Sequence, residues 1–567
     1  MKKMLFVLFC MLLIVPTKLI AATVPNSQSA GGVAQQEETT KKLRGLEQRI
    51  ETPVKNEEER IKNEILNDES GSKVLISTIT VEGVTLLKDY EWQAIVAPYE
   101  NKELTMKSIQ MIADLISDKY RQKGYVTSRA YIPPQNIKEG KLIIRVVEGK
   151  LGSVKIEGNR YFRTNLLKRM LNLKENEALD YLELQSSLSY INEAPDRFAK
   201  AILVPGQAPG TTDIVIKVED KLPIHIGYEY DNYGSRFIYK NRYSAVLEDN
   251  NLFGFDDRFS AKLQYAEREL LQSQNYRYIF PINKTWDVGA YYADSRVKLA
   301  RDYTALHSLG KSSVIGLYTK ADFYKTPETV VSWNLGFDAK KFIDELGGIQ
   351  ISRDDLRVLK TGFDFDKSDK WGRSIFTTEI DAGLPIMGAS DPKDPNASRT
   401  GAGSQFQKWL FNFFRLQPMA FDSAILWKNT AQYSNHNLVA AEQFQIGGAT
   451  SVRAYSPAEY SGDMGYYTAF EWSCPVYFIP KTINVPHYKT RLYDALRLVA
   501  FYDWASIKLN TVQPAEQKYR TLKGYGTGLR FNVTNDIAIR YEIGFPIGKR
   551  STDGQQAHHW VEVNLKF

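Results

Sequence analysis

At 567 residues the chain is too long for one ordinary domain and has room for two or three compact units, or for one large barrel with appendages. Mean hydropathy is −0.36 and no apolar run beyond the N-terminus approaches the about 18 residues of a helical span, which excludes a helical membrane protein. A net charge of +7 is small for this length and gives no argument for nucleic acid, whereas 12% aromatics with 33 tyrosines suit strands at a membrane interface or a tyrosine-rich soluble β protein.

Residues 1–22 have the layout of a secretory signal peptide: Lys2 and Lys3, an apolar core from Met4 to Val15, then Ala21 and Ala22. Cleavage is expected near Ala22. Cys10 lies in that segment and leaves Cys474 alone, so neither an intrachain disulfide nor a Cys-rich metal site is expected in the exported chain. Residues 35–51 place Leu43, Leu46 and Ile50 at helical spacing among many charges and end before Pro53. Such a helix cannot bury enough to stand alone, so it either frays or docks somewhere polar. A mostly charged linker, Val54 to Asp68, follows, so that residues 23–72 read as this helix and its linker.

Two units of the same order come next. In residues 73–149, a strand and turn (VLISTITVEGVTLL) leads to a helix with Ile109, Ile112, Leu115 and Ile116 on one face, then to two alternating segments that read as paired strands. Residues 150–220 repeat this with a strand (LGSVKIEGN), two helices and a hairpin. Two tandem βααββ modules are predicted, each with a sheet covered on one face and an edge strand free to pair.

From residue 221 to 567 the helical period vanishes and period two takes over. Ile224, Ile226, Tyr228 and Tyr230 share one face of a strand against His225, Glu229 and Asp231, and Val331, Trp333, Leu335 and Phe337 oppose Ser332, Asn334 and Asp338. A soluble sandwich would turn the aromatic face inward; an outer-membrane barrel turns it to lipid and lines a wet lumen with the charges. Three features favour the barrel. The β region is too long for one open sheet; short turns such as PINKT alternate with long polar segments such as ASDPKDPNASRTGAGSQ; and the last strand carries Val561, Val563, Leu565 and the terminal Phe567 on one face. The fold class is therefore β-rich, a C-terminal transmembrane antiparallel β-barrel after two small modules and an N-terminal helix.

The segment IGGATSVRAYSPAEYSGDMGYY sets Arg453 behind a Gly-Gly turn. In a lumen an arginine wants a carboxylate. The strand LRLVAFYDWASI puts Val499, Phe501 and Asp503 on its lumen face, so a loop folded back into the barrel would bring Arg453 to Asp503, with bidentate geometry available. The alternative is a solvated loop arginine, and sequence physics alone does not choose between them.

Two βααββ modules ahead of a barrel with VRAY, GDMGYY and FYDWA resemble the two-partner secretion outer-membrane transporters, the family of the haemolysin activators and the filamentous haemagglutinin exporter (ShlB/FhaC/HecB-like). The modules resemble POTRA domains, residues 124–151 are similar to the family's first-POTRA segment, and NNLFGFDDRFS is similar to its Asn-x-x-Gly-x-x-Asp element, here Asn251, Gly254 and Asp257. The resemblance implies a barrel of about 16 strands. It places Val452, Arg453, Ala454 and Tyr455 at the tip of the sixth extracellular loop, pairs Arg453 with Asp503 of the Phe-x-Asp motif that begins at Phe501, and makes Phe567 the C-terminal assembly signal. Ala454 stands where the family has glycine; if that glycine takes positive φ, alanine strains the tip. The helix at residues 35–51 matches the family's pore plug.

The implied function is ATP-independent secretion of a large partner exoprotein, captured unfolded at POTRA sheet edges and threaded through the barrel of a Gram-negative outer membrane. Outer-membrane lipid and the barrel-assembly machinery are the other expected partners; no nucleic acid, cofactor, metal or enzymatic activity is expected. GxxxxGK[ST], GxSxG and HExxH are missing from the sequence, and of six histidines only His558 and His559 adjoin, on opposite strand faces. An insertase of the barrel-assembly class is the main alternative, argued against by a count of two modules; a passive porin with appendages is the third.

Overall fold

In the computed structural model the described residues are 29–51, 73–137, 139–326, 328–514, 516–534 and 537–567. The predicted signal segment 1–22, and the linker apart from residues 29–51, lie outside them. The chain forms two compact units: one contains the N-terminal helix and the barrel, the other the two modules together with Asn250–Asp257.

Within the module unit, the first module has β1 (Lys73–Ile76), β2 (Thr78–Glu82), α2 (Asp89–Val96), β3 (Lys102–Thr105), α3 (Met106–Gln122), β4 (Arg129–Tyr131) and β5 (Lys141–Val147), with α1 reserved for the helix Ala30–Glu51. The segment read as one strand is two: β1 pairs with β3 as a separate two-stranded sheet, and β2 lies parallel to β5 in a sheet of order β2-β5-β4. The face of α3 carrying Ile109, Ile112, Ile116 and Tyr120 packs on Ile79, Leu142 and Ile144, and Thr105 Oγ1 caps the helix by accepting from Ser108 N at 3.1 Å. Leu115, predicted on that face, is exposed instead. Glu148 ties the module together, accepting from Thr85 N (2.7 Å), the Thr85 hydroxyl, Leu86 N (2.8 Å) and Tyr120 Oη (2.7 Å). Partial burial works to raise that carboxyl, but these donors outweigh it and hold its pKa below the ordinary carboxylate value.

The second module repeats the plan with β6 (Lys150–Glu157), α4 (Thr164–Leu171), α5 (Tyr181–Ile191), β7 (Arg197–Pro205) and β8 (Thr211–Asp220), in a sheet of order β6-β8-β7. Its kinship with the first is visible at one atom. Gly83 follows β2 and Gly158 follows β6, both with positive φ (+83° and +90°), and a Cβ there would lie 2.5 Å from Val146 O and 2.4 Å from Val218 O respectively. Only glycine lets each turn pass its neighbouring strand.

The other unit is a closed antiparallel barrel of sixteen strands. In order these are β9 (Ile224–Asp231), β10 (Arg242–Asp249), β11 (Arg258–Ala266), β12 (Leu271–Pro281), β13 (Trp286–Lys298), β14 (Ser308–Lys325), β15 (Thr329–Leu346), β16 (Ile349–Asp369), β17 (Gly372–Gly383), β18 (Gln407–Pro418) and β19 (Ala424–Tyr433). The short strands β20 (Phe444–Ile446) and β21 (Tyr460–Gly462) stand outside the barrel, which resumes with β22 (Met464–Pro475), β23 (Leu496–Lys508), β24 (Tyr519–Thr534), β25 (Ile537–Pro546) and β26 (His558–Lys566). Pairing of β26 with β9 closes the ring from Glu562↔Asp231 to Lys566↔Gly227. Phe567 extends that seam: its N–H donates to Ile226 O at 2.8 Å and its carbonyl accepts from Ile226 N at 3.1 Å, with the ring exposed.

Alternation follows the barrel sense. On β23, Leu498 and Tyr502 are exposed on the outer wall while Val499, Phe501 and Asp503 are buried inside. Among the described residues the turns on the rim where the chain enters and ends are mostly short, and the longest exception is residues 476–495 between β22 and β23.

Helix α1 docks inside the barrel rather than fraying. It begins at Ala30, five residues before the predicted start, because Ser29 caps it (Gly32 N to Ser29 Oγ, 3.1 Å) and its small first residues fit the wall: Gly31 lies where a Cβ would be 2.8 Å from Ala441 Cβ, and Ala30 N donates to Asp344 Oδ1 at 2.7 Å. The predicted stripe Leu43, Leu46 and Ile50 packs on Ile375, Phe414 and Leu426 of the inner wall. Ion pairs surround it: Lys42–Glu379 (3.1 Å), Arg49–Asp366 (2.7 Å), Arg44–Glu562 (3.1 Å), and Glu47 with Lys428 (2.8 Å) and Arg540 (3.1 Å).

Candidate functional site

The loop between β19 and β22 narrows to a neck where β20 pairs with β21, Ile446 opposite Tyr460. Beyond the neck the chain turns back into the lumen. Val452, Arg453, Ala454 and Tyr455 are all buried, and a turn closes the tip, with Tyr455 N donating to Val452 O at 3.1 Å.

Arg453 is 1% exposed and Asp503 is fully buried. Nε donates to Asp503 Oδ2 at 2.9 Å, Nη2 to Oδ1 at 2.7 Å, and the Arg453 backbone N–H to Oδ2 at 3.0 Å, a bidentate pair with a third bond from the same residue. The guanidinium carbon lies 3.4 Å from the centroid of the Phe501 ring. Two carboxylates that the sequence reading did not single out complete the shell: Nη1 is 2.9 Å from Glu471 Oε1 on β22 and 3.2 Å from Glu542 Oε2 on β25. Arg530 bridges the same two, at 2.6 Å to Glu471 Oε2 and 2.7 Å to Glu542 Oε1, and Lys428 pairs with both Glu471 and Glu47 of α1. Each charge of this buried set thus has an opposite partner, as burial away from bulk water demands. A signal for the missed acids exists in the sequence, since Glu471 stands between outward Phe470 and Trp472, and Glu542 between Tyr541 and Ile543. A lone acid inside an aromatic alternation faces the lumen.

The tip reaches this depth because the wall makes room. The lumen face of β24 reads Leu522, Gly524, Gly526, Gly528, Arg530. A Cβ on Gly524 would lie 2.4 Å from Ala454 Cβ, and one on Gly544 of β25 would lie 2.5 Å from Arg453 O. Ala454 itself is outside the left-handed region, so the expected strain at this position does not arise; its methyl seats against Gly524. Trp560 Nε1 donates to Arg453 O at 2.7 Å, and Tyr455 Oη to Lys549 O at 3.0 Å, so β26 and the β25–β26 loop also grip the tip.

Asn251, Gly254 and Asp257 build a different motif, in the unit that holds the modules. Asp257 accepts from Phe253 N and Phe255 N, each at 3.1 Å, Asn251 Oδ1 accepts from Asp256 N at 3.0 Å, and Gly254 has φ +82°. The turn so formed presents Asp256 to Arg197, which is buried over the Phe162 ring, and Asn250 to Asp196 (2.7 Å). Arg197 was not anticipated from sequence; a lone arginine at a strand start carries no local signal. Among the described residues no group of three or more His, Cys, Asp or Glu could hold a metal ion.

An aromatic outer wall, a charged lumen and a closed antiparallel ring define an outer-membrane β-barrel protein. Residues 210–531 match the family described as haemolysin secretion/activation protein ShlB/FhaC/HecB, and residues 74–149 match the ShlB-type POTRA domain. Outer membrane transporter CdiB of Dickeya dadantii (strain 3937) is 25% identical over 418 residues, 71% of this chain and 72% of that protein. The heme/hemopexin transporter protein HuxB of Haemophilus influenzae is 22% identical over 486 residues, 83% of each. The solved structure of CdiB from Escherichia coli has the same fold, with a TM-score of 0.74 at 21% identity, covering 94% of this chain and 98% of that one. The chain belongs to the ShlB/FhaC/HecB secretion/activation family.

Proposed function

We propose that this chain exports a large partner protein across the outer membrane as an unfolded polypeptide, through the lumen that α1 occupies. The observation that carries this is how the helix is held. Apart from a narrow apolar stripe and the buried Glu47–Lys428 pair, α1 is fixed to the wall by partly exposed ion pairs through Lys42 and Arg49, and such pairs exchange readily for those of another chain. The Arg453 loop, by contrast, is part of the wall's own buried charge set, so it shapes the passage rather than blocking it. Capture is by β-augmentation at the edge strands β2, β4, β6 or β7, where main-chain hydrogen bonds place little demand on sequence. Folding of the partner outside makes export one-way without ATP.

In this account residues 1–22 are the signal peptide, 23–72 the plug helix and linker, 73–149 and 150–220 two periplasmic POTRA domains, and 221–567 the barrel. The protein is a conduit without a catalytic centre, carried in lipid and inserted by the barrel-assembly machinery with Phe567 as its signal. The named relatives are transporters, which favours export over an insertase role. The test is secretion of the candidate partner by wild type, Arg453→Ala and Asp503→Ala, with heat-modifiable gel mobility reporting a folded barrel. Loss of secretion by folded variants supports the proposal; normal secretion by a folded Arg453→Ala removes the loop from the mechanism. A strain lacking this chain that loses other barrel proteins, and not the partner alone, would favour the insertase.

A further inference from the structure

The longest turn among the described residues on the rim where the chain enters and ends, residues 476–495, is ordered by its own contacts. Val485 N donates to Thr490 O at 2.9 Å and Leu492 N to Ile483 O at 2.8 Å, folding residues 483–492 back on themselves. The next turn along the rim is tied to it: Tyr477 Oη donates to Phe421 O at 3.0 Å, Tyr493 Oη to Asp422 Oδ2 at 3.0 Å, and Lys481 pairs with Asp422 at 2.9 Å.

Its position is given by what it covers. Val485 and Ala495 pack on Val533, with Leu492, Phe531 and Ile537 around them, and Thr490 Oγ1 donates to Val533 O at 2.7 Å. On β24, Arg530 faces the lumen and Leu529 the outside, so Phe531 lies on the outer wall, as does Ile537, which is in phase with the exposed Ile539 and Tyr541 on β25. The turn therefore wraps the lipid side of the barrel at its rim. From this seat it displays large apolar groups: Phe478 is 87% exposed, with Tyr477, Ile483 and Tyr488 also exposed, beside Phe421 of the neighbouring turn at 83%. Lys481, Lys489 and Arg491 stand among them; Lys481 is paired with Asp422 of the neighbouring turn and Arg491 with Asp494 at 2.6 Å, so that the turn and its neighbour together keep one cation more than they have acids, at Lys489.

We infer that this turn is an interfacial anchor, with its aromatic and aliphatic groups seated at the boundary between headgroups and acyl chains of the inner leaflet and Lys489 at the level of the phospholipid phosphates. Side chains held rigidly in water would gain nothing from such exposure, whereas aromatic rings with nearby lysines match a bilayer interface. The surface also runs on directly from the lipid-facing wall, where Leu529, Ile539 and Tyr541 are exposed. An unfolded partner bound for the lumen is the competing occupant, and the outer-wall seat of the turn argues against it.

The experiment uses the full chain carrying Phe478→Cys in a Cys474→Ser background, labelled with NBD and reconstituted in vesicles of phosphatidylethanolamine and phosphatidylglycerol, folding being checked by heat-modifiable mobility. Nitroxide placed shallowly on the acyl chains is expected to quench the label at least about threefold more than aqueous iodide, and a label at Lys393→Cys in the long β17–β18 loop is expected to show the reverse. Dominant quenching by iodide at position 478 overturns the inference. So does shielding from both quenchers, or shielding that appears only when urea-unfolded partner is added, which would make the patch a polypeptide site. Phe421→Cys repeats the measurement from the neighbouring turn if the first variant does not fold.

Discussion

Helix α1 and the Arg453 loop both occupy the lumen, and both depend on charge, yet they are held in different ways. The helix presents residues to a wall that already exists: Lys42 and Arg49 keep about a third of their side-chain surface exposed, at 37% and 32%, while Glu47 is buried against Lys428, which also pairs with Glu471. The loop tip is built into the wall: Arg453 and its three carboxylates are all but inaccessible, and two strand glycines exist as its socket. Exposed pairs are screened and exchangeable, whereas removing one member of a buried set leaves an uncompensated charge. In the proposed export the helix leaves the lumen and the loop stays.

The hardest way to break this contrast is to fill the socket. Gly544→Val sets side-chain atoms where Arg453 O lies and should cost more than about 3 kcal/mol of loop seating, abolishing secretion from a barrel that remains heat-modifiable. Arg453→Ala and Asp503→Ala should each cost about 3–5 kcal/mol by stranding buried charge, read as a lowered unfolding temperature together with lost secretion. Arg453→Lys should fall between, since an ammonium cannot make the bidentate pair. If Arg49→Ala on the helix costs as much as Arg453→Ala, the contrast is wrong.

Salt sharpens it. Raising ionic strength from about 0.1 to about 1 M shortens the screening length from about 10 to about 3 Å, and should increase thiol labelling at Lys41→Cys on the helix severalfold while leaving Ser451→Cys beside the loop tip unchanged. Equal responses at both positions would mean that the two elements are released together. The smallest effect is expected in the first module. Because the Glu148 carboxyl is held below its ordinary value when folded, its contribution is present above about pH 4.5 and is lost as pH falls through the folded value. Glu148→Gln should therefore speed amide exchange around Thr85 by less than about tenfold at neutral pH, with the difference from wild type shrinking in acid.

Much of this was legible in one dimension. Period-two alternation assigned Asp503 and Phe501 to the lumen, and the apolar stripe of α1 was visible at Leu43, Leu46 and Ile50, because both signals repeat within a few residues. The start of α1 was misplaced because Gly31 and Gly32 are poor helix formers, and what keeps them helical is the Ser29 cap and a close approach to Ala441. The turn at 476–495 departs from the short-turn rule because it has an outer wall to cover, and that wall, at Phe531, lies some forty residues further along the chain.

The sequence by itself determined the periodicities, and hence the barrel, the two modules and which face each charge takes. Which carboxylates share one arginine was decided only in three dimensions. Strands far apart in the chain must be brought to one register before Glu471, Asp503 and Glu542 can converge, and the glycines that admit the loop have a meaning only against the atoms of Ala454 and Arg453 that approach them.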